Sequence, residues 1–316
     1  MTVSHSIGSG QPTMASNPSL GLLESARRWV LANLPYNRRD QNLVSYLSGL
    51  NATELLIAYH NWSSRLVRPQ PRTVHRSAAL QSNSLVTTQR AADLALLIDD
   101  IEKGRDLKKY LSRGVERSPV KVPGGSRPDI DGMLNDWRVH HLHISSIVES
   151  DGFVERDGPV LFVSFTPQDA YLIDIMPHGQ EREDWTRNHV LEVLATEWPD
   201  KGVIHKIPNA VPTGQTLSDE ERANLRANGY NASFEHDGSV YMPAGGMVSV
   251  GTTVAATRAA QQLVRQMEQL EGNYAKDPRV FARSNLALPQ PPAFEFEIGE
   301  HGAGLRETQT SAWMAL

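Results

Sequence analysis

The 316-residue chain contains no cysteine. Disulfides, thiolate nucleophiles and cysteine-ligated zinc or iron–sulfur clusters are therefore excluded, and the absence fits a reducing, cytoplasmic setting. Long apolar runs are missing too. Nothing approaches the ~20 residues of a membrane-spanning helix, no basic stretch leads into an apolar leader core, and no membrane partner is expected. Residues 1–18 hold no Asp, Glu, Lys or Arg and are rich in Gly, Ser, Pro and Asn, a composition that predicts a disordered tail. The glycine-rich run from Gly245 to Thr252 lacks the lysine of a Walker-type phosphate loop. His143–Ser145 has the His-x-Ser form of a two-histidine phosphoesterase, but the second copy that this chemistry needs is absent. No pattern in the chain implies a cofactor.

Charge is present but unevenly placed. The net charge is −5, yet residues 1–138 carry 18 Lys and Arg against 12 Asp and Glu, and residues 139–316 carry 13 against 24. A basic front half facing an acidic back half suggests either an anionic partner or two halves that neutralise each other. Residues 19–128 read as a helical basic region. Leu22, Leu23, Ala26, Trp29, Val30 and Leu34 recur at helical spacing before Pro35, and Asn51 with Glu54 forms a capping-box start for a helix through Leu55, Leu56, Tyr59 and Trp62. Between Ser64 and Ser77 the prolines Pro69 and Pro71 predict an extended loop. Its four arginines, Arg65, Arg68, Arg72 and Arg76, can grip phosphates through their guanidinium forks, or can cap and pair as a surface loop does. A helix is predicted over residues 86–103. The stretch Lys103–Arg127 follows, with eight basic residues, Lys108 and Lys109 among them, and a turn at Pro123–Gly124–Gly125.

The middle changes period. Residues 138–145 read as a strand, and Val160–Phe165 and Ala170–Met176 as a hairpin pair turning at Thr166–Asp169. A helix is expected from Trp185 to Trp198. A short strand at Val203–Ile207, a helix after Ser218, a hairpin turning at Asp237–Gly238 and a long helix carrying Val254, Leu263 and Met267 complete residues 129–288, an α+β region. Residues 289–316 read as a Pro-rich arm. The fold class predicted is α+β: a helical basic N-terminal region, then a small antiparallel sheet with flanking helices.

Five of the eleven histidines fall between residues 140 and 189. Imidazole exchanges protons near neutral pH and is a common metal ligand. Strand alternation puts His141 and His143 on one face and Arg138, His140 and Leu142 on the other. Two chemistries are open. In acid–base cleavage of RNA the substrate brings its own 2′-hydroxyl nucleophile, so a base, an acid and a cation suffice. Arg138 supplies the cation, His141 or His143 works with His178, and Trp137 offers a stacking surface. In the other, His141, His143 and His178, with Asp174, hold a metal for hydrolysis. The bland alternative is that half-buried strand histidines are structural. Within the catalytic reading, His178 at a strand end beside Pro177 and Gly179 should matter most, and His189 on the next helix should be nearly neutral.

The stretch from Asp136-Trp137-Arg138 through Leu161–Phe165 to Ile173-Asp174-Ile175-Met176-Pro177-His178 resembles the RelE/HigB group of bacterial ribonuclease toxins in its order of elements and its late histidine. The phrase around His140–His143 is also similar to uncharacterised bacterial and phage-defence proteins. The RelE/HigB resemblance implies a toxin-like ribonuclease, with RNA as substrate and an antitoxin-like protein as partner. The alternative is a non-catalytic module that binds nucleic acid or protein, and a metal-dependent hydrolase stands third.

Overall fold

Local capping sets most helix starts in the computed structural model, which describes residues 19–120, 122, 131–177, 187–248, 251–283 and 288–316. The tail over 1–18, the Pro123–Gly125 turn and His178 lie outside the described residues. Helix α1 (Leu22–Asn33) has the expected bounds. Helix α2 (Gln41–Gly49) opens on Asp40, whose carboxylate accepts from the N–H groups of Asn42 and Leu43. Helix α3 (Ala52–Ser63) starts on the predicted capping box of Asn51 and Glu54. Strand β1 (Thr73–Arg76) is followed by α4 (Ala78–Ser82), α5 (Ser84–Thr88) and α6 (Ala91–Glu102). One helix was expected across these last two. The chain breaks instead at Gln89 and Arg90, whose N–H groups both turn back to Leu85 O.

After two 3₁₀ turns at Lys108–Tyr110 and Arg113–Glu116 come α7 (Gly132–Trp137), β2 (Val139–His143), β3 (Val160–Phe165), β4 (Asp169–Met176) and α8 (Asn188–Glu197). Strand β5 (His205–Lys206), α9 (Asp219–Ala227), the hairpin β6 (Phe234–His236) and β7 (Ser239–Met242), and α10 (Val254–Lys276) follow. Helix α9 begins on a Ser218–Glu221 capping box. The β6–β7 turn takes positive φ at Asp237 (45°) and Gly238 (69°), the backbone that a tight hairpin demands. The last residues form β8 (Phe294–Gly299), β9 (Gly302–Glu307) and β10 (Trp313–Ala315), so a three-stranded sheet stands where an arm was expected.

The class is α+β. The chain divides into two units, Val30–Gln262 and the paired segments Met1–Trp29 with Leu263–Leu316. In the larger unit a four-stranded sheet runs in the order β1-β4-β3-β2. Strands β2, β3 and β4 are antiparallel, while β1 joins β4 in parallel. One face of this sheet packs Leu142, Leu161, Val163 and Leu172 with Leu94, Leu97 and Ile101 of α6 and with Tyr110 and Val115. The other packs Val139, Phe162, Tyr171 and Ile173 with Val190, Leu191 and Leu194 of α8 and with Phe234 and Tyr241. Because both faces are covered, β3 and β4 read as continuous apolar runs rather than alternating ones. The same covering buries every residue of β2.

The smaller unit is held by local hydrogen bonds. Glu271 accepts from the N–H groups of Leu20 and Leu22, both at 2.8 Å, at the start of α1. Phe296 N–H donates to Ser25 Oγ (2.8 Å), which closes the outer side of β8, and Trp29 meets the Phe296 ring edge-on. Gly304 in β9 lies under the Trp313 ring, where a Cβ would come within 2.4 Å of an indole carbon.

Candidate acid–base site on β4 and α8

The β3–β4 ladder contains a register shift. Phe162 faces Asp174 and Val163 faces Leu172, so Ile173 is the extra residue of a bulge. A bulge turns the neighbouring side chains away from strict alternation. Asp174 is the residue it redirects, and its carboxylate is tightly held. Oδ1 accepts from Asn83 Nδ2 (2.7 Å) and from Ile175 N–H (2.8 Å), while Oδ2 lies 2.8 Å from His189 Nε2. Asn83 is itself fixed, because its Oδ1 caps α5 at Leu85 N–H and its Nδ2 also donates to Ile175 O.

Burial works to raise the Asp174 carboxyl. The bonds from His189, Asn83 and the Ile175 N–H outweigh it and hold the group below the usual carboxylate range. The hydrogen bond from Asp174 in turn raises His189 above the ordinary imidazole value, against the opposing effect of burial. The Asp174 side chain is 11% exposed and that of His189 44%. The arrangement is a solvent-facing imidazole anchored through Nε2 to a buried carboxylate, with Nδ1 as the remaining ring nitrogen. Such a group can take up and return a proton at near-neutral pH.

The first turn of α8 is braced from a second side. Asn188 N–H donates to Asp219 Oδ1 (2.7 Å), and Arg222 Nε donates to Asn188 Oδ1 (3.0 Å). Arg222 is buried, with its guanidinium over the rings of Trp137 (5.8 Å) and Phe234 (5.7 Å). Beside it, Arg226 pairs with the buried Asp136 at 2.8 Å.

The other histidines are placed differently. His141 and His143 do share a face, with ring centroids 6.0 Å apart, but both are buried. His141 Nδ1 stands 2.9 Å from Asp131 Oδ2, and Asp131 Oδ1 caps α7 at Leu134 N–H. Burial raises the Asp131 carboxyl, and the His141 charge and hydrogen bond outweigh it and bring it down. His140, on the opposite face, meets the Phe165 ring edge-on at 5.4 Å, and burial pushes its imidazole down to about 4. A cavity of about 10 Å³, enough for about one water molecule, lies between Arg65, Ser112, Asp131, His140 and His141. The register sets His141, Phe162 and Asp174 in one cross-strand row, so His141 is roughly 10 Å from Asp174 between backbones. Among the described residues no three His, Asp or Glu side chains converge as a metal ion requires. The ligand set read from the sequence includes His178, outside the described residues.

Several other sequence expectations are corrected. Arg138 is not a strand residue. It is the exposed left-handed C-cap of α7, with φ 57°. Trp137 is fully buried and offers no stacking surface. The loop from Ser64 to Ser77 is not extended coil throughout, since it contains β1. Two of its arginines are interior. Arg65 donates to Gly114 O, and Arg72 donates to Thr166 O (2.9 Å) and Arg68 O (3.0 Å) with its guanidinium over Phe165. Arg68 and Arg76 are exposed. Much of the Lys103–Arg127 charge is paired: Lys108 with Glu116 and Lys109 with Asp100, both at 2.8 Å, Lys103 and Arg105 with Asp99, and Arg113 with Asp151. His189, whose replacement was expected to have little effect, is the more accessible member of the pair described above. The sequence signal that could have found it is a histidine in the first turn of a helix that follows a strand carrying an isolated aspartate among apolar residues.

Among the described residues no helix is long and apolar enough to cross a membrane. Comparison with family models, curated proteins and solved structures finds no match to this chain.

Proposed function

We propose that the protein is an acid–base catalyst of RNA cleavage, of the toxin-like ribonuclease class that its central block resembles, with His189 and Asp174 as the proton-transferring pair. The observation that carries this reading is the 2.8 Å contact between a half-exposed imidazole and a carboxylate that is buried, bulge-directed and fixed by two further donors. His189 Nδ1 takes the proton from the RNA 2′-hydroxyl as that oxygen bonds to phosphorus. The bond from phosphorus to the 5′-oxygen then breaks, and an acid returns a proton to the leaving oxygen. Asp174 keeps the ring in one tautomer and orientation and stabilises the imidazolium formed.

The test is RNA cleavage by wild type, His189→Ala, Asp174→Asn and His141→Ala, with melting temperatures measured on each. His189→Ala should lose about 10²–10⁴-fold in rate with the smaller loss of stability, because Asp174 keeps its bonds from Asn83 and the Ile175 N–H. His141→Ala should lose stability instead, because it strips a buried carboxylate of its partner. Absence of cleavage by wild type, or full activity in His189→Ala, would overturn the proposal. A protein-binding role is the second reading, and one feature favours it. An open groove of about 340 Å³ at α9 is lined by Leu217, Leu225 and the exposed Tyr230, with Glu221, Asn224 and Asn228. Inactivity of the wild type toward RNA, together with capture of a partner lost in Tyr230→Ala, would favour that role.

A further inference from the structure

Strand β4 anchors a second histidine. His75, on the edge strand β1, faces Tyr171 in the parallel register, and Arg76 faces Leu172. The His75 ring lies flat on the Tyr171 ring, with centroids 4.9 Å apart and planes at 15°. Its Nε2 is 2.8 Å from Asp169 Oδ1. Tyr171 is buried and backed in turn by Trp198 at 5.1 Å. The imidazole is thus fixed in plane by a ring beneath and a carboxylate at its edge. Its side chain nonetheless remains 38% exposed, and β1 has no strand beyond it among the described residues.

A flat, pre-oriented, solvent-facing ring at a sheet edge is the form in which proteins present stacking surfaces to unpaired bases. Position fits as well. Tyr171 and Asp174 are three residues apart on one strand, roughly 10 Å at strand rise, a span that an extended single strand covers in about two nucleotides. Trp137, the stacking residue expected from the sequence, is fully buried and leaves that role open. We propose that His75, seated on Tyr171 and held by Asp169, is a base-stacking subsite for single-stranded RNA whose scissile phosphate lies at His189. The inference rests on the ribonuclease reading for its substrate, but it makes its own claim about binding.

The experiment measures binding of 5′-fluorescein-labelled oligoadenylate and oligouridylate eight-mers by anisotropy in the His189→Ala background, where the RNA stays intact. Adding His75→Ala should weaken oligoadenylate binding about 5- to 150-fold, the loss of one stacked base, and oligouridylate binding by less, since a pyrimidine offers a smaller ring face. Adding His75→Phe, which keeps the stack and loses the contact with Asp169, should stay within about threefold of the parent. Unchanged affinity in His75→Ala would overturn the subsite, as would His75→Phe binding as weakly as His75→Ala, or no binding of either RNA by the parent. The two proposals fail separately. Wild type that cleaves RNA with a KM indifferent to His75 removes the subsite and keeps the catalyst. Binding that depends on His75, in a protein whose wild type cleaves nothing, does the reverse.

Discussion

The described histidines of the central block differ in what surrounds the ring. His140 is buried against the Phe165 ring, and its low proton affinity is a statement about stability. The unfolded chain protonates this imidazole near 6.5, whereas the folded protein resists protonation down to about 4. Its contribution is therefore fully present above pH 6.5 and is lost as the pH falls toward 4, by about 3 kcal/mol in all. Urea denaturation at pH 7 and pH 4 should give wild type that much more loss than His140→Phe. Equal losses would mean that the ring is solvated. His189 has the opposite sign. Its folded value lies above 6.5, so the ion pair with Asp174 stabilises the protein at lower pH, and that share fades as the pH rises through the folded value. Neither environment could be read from spacing. Strand alternation correctly separates His140 from His141, but it cannot say that both sheet faces are covered.

Asp131 serves two elements at once, as N-cap of α7 and as partner of His141 on β2. Asp131→Ala should cost about 3 kcal/mol. Asp131→Asn, which keeps the capping oxygen, should cost at least about 1 kcal/mol less. Thermal melts compare the two directly, and equal destabilisation would mean that the cap contributes nothing. The arginine loop behaves as an element too. Arg72→Ala should lower stability by about 2 kcal/mol through lost packing and stranded carbonyls, while Arg68→Ala and Arg76→Ala should leave the melting temperature within about a degree, as surface changes do. A melting temperature for Arg72→Ala equal to wild type would return that residue to the surface role expected from the sequence. Helix α3 was legible in the sequence because its capping box and apolar face agree, and α9 because Ser218 is followed by three acidic residues suited to a helix start. Strand β1 was not, because Thr73–Arg76 is short, polar and parallel to a strand almost a hundred residues away. The bulge at Ile173, which aims Asp174, leaves no mark in the apolar run that contains it.

At the scale of the whole chain, two arginines of the basic front half meet carboxylates of the acidic back half within the larger unit. Arg90 pairs with Asp157, and Arg113 with Glu149 and Asp151. Lys103, Arg105, Lys108 and Lys109 pair within the front half instead. The four-stranded sheet with cores on both faces explains why the strands of the central block were read from continuous apolar runs. It also explains why the site proposed from the structure differs from the one expected from the sequence. Histidines crowd on β2, yet β2 lies under cover, and the more accessible His75 and His189 lie on β1 and α8. The most direct test of the account is the pH dependence of kcat/KM for RNA cleavage in wild type and Asp174→Asn. A base held by Asp174 predicts a rate that climbs with pH through a value above 6.5 in wild type, and a limb displaced to lower pH, with a lower plateau, in Asp174→Asn. An identical limb in the two proteins, or no cleavage by wild type at any pH, would contradict it.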